Sequence, residues 1–226
     1  MALGPNQGLV SVVQASASAF RLFHRTGRDE ALRSVERIAL IDIIGAMRTT
    51  IHFLTSGETN WDRRRRLEGQ QDSLLTAIGR EQAQANGMHL LETLEGRPLP
   101  RCLCSPLGRC RETAAIVCGI LGKNLFDLEF DDRLKDQSLG DWEGMKIHEL
   151  GSAKVRSLDQ WDIRPPNGES CAMVAARLQS WLSDIDGQIV IAVSHERVER
   201  VLRSVYAGMG LSLVPSLGEG YHQYEA

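Results

Sequence analysis

The sequence predicts an α/β fold: a mostly parallel sheet with helices on both faces. Two observations carry this. From Met47 onward, short apolar runs bounded by turn residues alternate with longer helical stretches. Three of those runs also end in small, polar or charged residues, the place where parallel α/β sheets build their sites.

Thr49–Thr55 (TTIHFLT) is a compact apolar strand leading into Ser-Gly-Glu-Thr, a loop. Leu75–Asn86 has helical character, with Gly87 predicted to stop it. Arg101–Ser105 is a second strand, broken by Ser105-Pro106, and Gly108–Leu121 returns as a helix. Leu125–Phe130 is a candidate third strand. Ser170–Ile185 is an amphipathic helix, Ile189–Val193 a fully apolar strand, and Glu196–Tyr206 the helix after it. The sequence contains no internal repeat and no low-complexity segment.

Composition bounds the function. The 226 residues are 42% hydrophobic and 24% charged, within the globular range, with a net charge of −3. An acidic balance argues against a nucleic-acid partner, and four Trp, three Tyr and five Phe are too few for a base-stacking platform. The five cysteines (Cys102, Cys104, Cys110, Cys118 and Cys171) are odd in number and form no C-x-x-C pair. Structural zinc and a disulfide framework are therefore not expected, and buried thiols in a reducing, cytoplasmic compartment are. No apolar run approaches the length of a membrane span. Neither a metal nor a cofactor is expected.

Residues 1–46 read as an N-terminal helical extension to a domain at 47–226. Met1–Arg28 has no Asp or Glu but several Arg and Ser, so organelle targeting is the alternative to a structural segment. Leu32, Val35, Ile38 and Ala39 form a helical stripe, a candidate homodimer face or a surface that packs on the sheet.

The chemistry-bearing residues follow three strands. Ser56-Gly57-Glu58-Thr59-Asn60 follows the first, Ser105-Pro106-Leu107-Gly108-Arg109 the second and His195-Glu196 the last. Two of these ends open helices, whose free N–H groups suit an anion. Arg109 has the fork geometry for a phosphate or carboxylate. His195 can serve as acid, base or hydrogen-bond donor. Arg63–Arg66 is a run of four arginines, read as a solvated face rather than an anion clamp.

Spacing and order over residues 49–208 resemble the histidine phosphatase superfamily, in its phosphoglycerate-mutase-like branch. FLTSGETNWDRRRRLEGQQDSLLTAIGREQA, SPLGRCRETA, RLKDQSLGDWEGM, PPNGES and IAVSHERVERVL stand for its motifs in the family's order. The resemblance implies a three-layer αβα sandwich with the pocket at the strand carboxyl ends. In that family, a strand-end Arg-His-Gly supplies a His that attacks phosphorus. A second Arg and a second His hold the phosphoryl oxygens, and an acid protonates the leaving oxygen. By resemblance, Arg109 is the second Arg, His195 the second His, Asp136 the acid and Arg66 a further motif arginine. Asn60 and Thr59 fall at loop positions near the phosphate.

This chain departs from the pattern. Thr55-Ser56-Gly57 replaces Arg-His-Gly, so Ser56 stands at the nucleophile position. Asp136 replaces a Glu, Glu68 a Gln, and Glu196 the Gly after the second His. His52, four residues before Ser56, lies about 13 Å back along the strand and is no simple substitute. The expected protein is a catalytically impaired pseudophosphatase that binds a phosphorylated or anionic small molecule, or serves a regulatory or scaffold role. Two alternatives are an enzyme in which His195 activates Ser56, and an engineered inactive form of a once-active phosphatase.

Overall fold

The computed structural model describes residues 49–158, 160–206 and 221–225, so the expectations for residues 1–46 lie outside the described residues. The described elements, in chain order, begin with strand β1 (Thr50–Thr55), the short helix α1 (Asn60–Arg63), helix α2 (Ala77–Thr93), β2 (Arg101–Cys104) and α3 (Gly108–Leu121). They continue with β3 (Leu128–Phe130), two short helices, α4 (Ile147–Leu150) and α5 (Ser152–Ser157), then α6 (Cys171–Asp184), β4 (Ile189–Ser194), α7 (Glu196–Tyr206) and β5 (Tyr221–Glu225).

The strands form one sheet in the order β3-β2-β4-β1-β5. β1 pairs parallel with β4, and β2 pairs parallel with both β4 and β3; only β5, on β1, is antiparallel. Strand alternation divides the core into two layers. Ile51, Phe53, Val190 and Ala192 pack with Val174, Leu178 and Trp181 of α6 and Val198, Val201 and Leu202 of α7. Leu54, Cys102, Cys104, Ile191 and Val193 pack with Leu90 of α2 and Ala114, Val117 and Leu121 of α3. That is the expected three-layer α/β sandwich. All five cysteines are buried and free. Among the described residues, no helix is long and apolar enough to cross a membrane.

Two expectations need correction. Gly87 does not stop α2, which runs on to Thr93. It is instead the buried point where α3 comes closest: a Cβ there would meet Ile120 Cδ1 at 2.8 Å. Of Leu125–Phe130, only the second half is strand; Leu125–Asp127 is a 3-10 turn capped by the Asn124 side chain.

A second close approach sets the loop after β1. Thr76 caps α2 by accepting from Gly79 N, and its hydroxyl also bonds Glu58 Oε1 at 2.6 Å. A Cβ on Gly79 would lie 2.1 Å from the Glu58 carbonyl oxygen, which is backbone and cannot swing away. Gly79→Ala is therefore expected to destabilise by about 3 kcal/mol, despite alanine's better helix propensity. Gly87→Ala meets the Ile120 Cδ1 tip at 2.8 Å, which can swing away, and Ile120 Cβ and the Val117 backbone only at 3.4 Å, so it should fall within about 1 kcal/mol of neutral. Urea titration of both variants checks the contrast, and equal effects would refute it.

Candidate functional site

The register of β2, β4 and β1 lines up the three strand ends. Cys104 pairs with Val193, and Thr55 with Ser194, so Ser56 leaves its strand level with His195, and Ser105 leaves the strand on the other side one residue earlier, level with Ser194. The Ser56 backbone N–H is held by the Ser194 carbonyl at 2.9 Å. Gly57 N–H donates to Thr113 Oγ1 of α3.

His195 is almost wholly buried. Its Nε2 lies 2.9 Å from Ser105 Oγ and 3.4 Å from Cys110 Sγ, while Nδ1 lies 3.9 Å from Asp136 Oδ2. Burial, with Arg109 and Arg177 nearby, pushes its pKa well below the ordinary 6.5, so the ring is neutral at physiological pH. In the neutral ring, Nε2 accepts from Ser105 or donates to it according to which nitrogen holds the single proton. The neighbouring Cys110 is no nucleophile: burial raises its thiol to about 12.

Arg109, in the first turn of α3, is 2% exposed. Its guanidinium is ringed by five oxygens of its own chain. Nε lies 3.1 Å from Glu68 Oε2. Nη1 bonds the Gln71 carbonyl at 2.8 Å and Asp72 Oδ1 at 3.2 Å. Nη2 bonds the Gly69 carbonyl at 2.8 Å and Asp136 Oδ2 at 3.2 Å. Asp72 additionally accepts from the backbone N–H groups of Gly108 and Arg109. A carboxylate of the chain itself thus occupies the helix N-terminus and the guanidinium fork that would receive an anion.

Three carboxylates around one arginine cannot all ionise easily. Desolvation raises the Glu68 pKa to about 7, against the lowering effect of Arg109 and of its Thr59 hydrogen bond. Asp136 is likewise raised, by burial first, with Arg109 and Arg197 opposing.

The structure brings Arg109, Asp136 and His195 together, and the register places Ser56 beside His195. Thr59 reaches this group through Glu68, which lies 2.5 Å from its hydroxyl, while capping α1 through the backbone N–H groups of Trp61 and Asp62. Two other expected residues point elsewhere. Arg66 donates to the Gly144 carbonyl at 2.5 Å, bracing the 140–146 loop. Asn60 Nδ2 donates to the Leu74 carbonyl. It lines a cleft of about 470 Å³ together with Trp61, Arg64, Asp72, Gly108 and Glu112. Glu196 is solvent-exposed in the first turn of α7, where an acid suits the helix dipole. Arg63, Arg64 and Arg65 are exposed, in keeping with a solvated face.

Asp72 is a partner that the sequence did not single out, and Ser105 is one to which it assigned no role. Ser105 was visible as a strand end, but nothing local pairs it with His195, 90 residues later. Asp72 acts on a helix 36 residues away, a distance no capping pattern spans.

Comparisons with known proteins agree with this architecture. The family profile of the histidine phosphatase superfamily (branch 1) matches residues 51–223. "Probable phosphoglycerate mutase GpmB" of Enterobacter sp. (strain 638) is 30% identical over 154 residues, covering 64% of this chain and 68% of that protein. Its counterpart from Salmonella arizonae is 31% identical over the same length and coverage. Among solved structures, a mycobacterial glucosyl-3-phosphoglycerate phosphatase in complex with VO3 superposes with a TM-score of 0.64 at 24% identity, covering 78% of this chain and 92% of that one, a likeness of fold. The YhfR protein of Bacillus stearothermophilus gives a TM-score of 0.59 at 28% identity, covering 77% and 94%. With the family profile spanning nearly every described element, the chain belongs to the histidine phosphatase superfamily, branch 1.

Proposed function

We propose that this protein is a catalytically impaired member of its superfamily that binds a phosphorylated or other anionic small molecule weakly at neutral pH. The observation that carries the reading is the state of Arg109: its two Nη groups hydrogen-bond four acceptors of its own chain, and its Nε faces Glu68 Oε2 at 3.1 Å. An entering dianion must displace carboxylates that already hold the fork, and it enters a site where His195 is uncharged. The residue at the nucleophile position adds to this. Ser56 is an alcohol, and the described neighbours of the nearby His195 ring are Ser105, Cys110 and Asp136. Without the attacking imidazole, binding and electrostatic terms alone are left to act on a phosphoester. The similar proteins include a probable phosphoglycerate mutase and a glucosyl-3-phosphoglycerate phosphatase, so phosphorylated sugar acids are the first ligands to test.

Hydrolysis of p-nitrophenyl phosphate by the purified protein checks the reading. Little or no turnover is expected, and Ser56→Ala should leave it unchanged. Turnover within tenfold of active relatives, abolished by Ser56→Ala, would overturn the reading and establish a serine nucleophile.

A further inference from the structure

We propose that Glu68 is a proton-operated latch on the anion site: uncharged, it leaves the Arg109 charge free to attract an entering dianion; ionised, it pairs with Arg109 and repels the dianion. The proposal rests on the anion-binding reading above and adds its regulation.

Geometry is the first support. Glu68 is buried, with one carboxyl oxygen 3.1 Å from Arg109 Nε and the other 2.5 Å from Thr59 Oγ1. The Thr59 hydroxyl has a single proton but two carboxyl oxygens in reach, Glu68 Oε1 and, at 2.9 Å, Asp62 Oδ2. It also accepts from Trp61 N and Asp62 N. A proton on Glu68 resolves that competition: Trp61 N–H, which also reaches Ser73 Oγ at 3.1 Å, leaves the hydroxyl, and Thr59 then donates to Asp62 and accepts from Asp62 N and Glu68. Glu68 is thus built to exist in both states, each with a hydrogen-bond partner.

The surroundings determine when it switches. From α1 it faces Thr59 and Asp62; from α3, Arg109; and from the loop after β3, Asp136. Asp72 and Asp136 share the same guanidinium, and His195, neutral, contributes no charge. Burial, Asp62 and Asp136 favour the proton, while Arg109 and Thr59 oppose it, and the balance lies at about 7. The sign follows directly. Raising the pH through 7 ionises Glu68 and closes the site; lowering it opens the site.

Sulfate is the probe, because it stays dianionic across this range whereas phosphate itself titrates. If only the protonated state binds, the apparent affinity scales with the protonated fraction. Calorimetric titration at constant ionic strength should then show sulfate binding about tenfold weaker at pH 8 than at pH 6. In Glu68→Gln, which keeps the shape and removes the charge, binding should be level from pH 6 to 8 and at least as tight as that of the unsubstituted chain at pH 6. In the unsubstituted chain, sulfate should also raise the midpoint of the Glu68 carboxyl resonance in a 13C NMR titration, a reading that needs no variant to fold. Level binding in the unsubstituted chain, an unmoved midpoint, or a slope that persists in Glu68→Gln would each overturn the latch while leaving anion binding intact. Absence of sulfate binding at pH 6 in both proteins would overturn the anion-binding reading, and the latch with it.

Discussion

Arg109→Ala is expected to destabilise the domain by about 3–5 kcal/mol, the usual cost of leaving buried charge without its partner. Arg109 is 2% exposed and is the cation shared by Glu68, Asp72 and Asp136. It also satisfies the carbonyls of Gly69 and Gln71, holding the 69–72 loop against the start of α3. Removing it leaves three acids facing one another and two carbonyls without that donor. For a domain of this size the loss corresponds to a drop in Tm of about 10 °C.

The pH dependence makes this expectation specific. Glu68 and Asp136 already have raised pKa values beside Arg109 and would rise further without it. Acid neutralises them, so the destabilisation should be smaller at pH 5 than at pH 8. Combining Arg109→Met with Glu68→Gln should recover part of the loss, since the variant then leaves one fewer acid unpaired. Urea titrations at the two pH values check this, and a loss below about 1 kcal/mol at pH 8 would show that the acids reach water instead.

The sequence made the frame legible because its signals are local. An apolar run followed by Ser-Gly, Ser-Pro or Ser-His marks a strand end by itself, and the helices Gly108–Leu121 and Glu196–Tyr206 have the bounds their patterns imply. Gly87 misled for the same reason. Glycine is a common helix terminator, but here it makes room for Ile120 of another helix, a tertiary demand no local rule encodes. The site was legible as a set of residue types and illegible as a charge balance. Arg109 carries the pattern of an anion ligand, yet Glu68 and Asp72, some 40 residues earlier, decide whether it is available. Arg66 likewise looks like a phosphate ligand by position, and only the folded 140–146 loop shows Gly144 as its partner.

Thr55→Arg with Ser56→His is expected to create phosphatase activity, at least about a hundredfold above the unsubstituted chain on p-nitrophenyl phosphate, because it supplies a covalent nucleophile. Thr55 pairs with Ser194, so position 56 follows directly beside His195 on the neighbouring strand, and strands in a sheet lie about 4.8 Å apart. A His at 56 would stand next to the second imidazole. Thr55 is buried, so the new Arg must extend past the strand end to reach the pocket, and some stability will be lost. The self-occupied Arg109 should still limit the rate. Adding Glu68→Gln removes the charge on its Nε side and should raise activity about tenfold at pH 8 but little at pH 6, where Glu68 is mostly protonated. Glu196→Gly, attractive from the sequence, should change the rate less than about twofold, because Glu196 is exposed and a surface charge is screened by solvent. The measurement is a pH–rate profile for the double and triple variants. If the triple variant folds, binds sulfate and is as inert as the unsubstituted chain, the missing element is the shape of the pocket around Asp136 and Ser105 rather than the nucleophile or the latch.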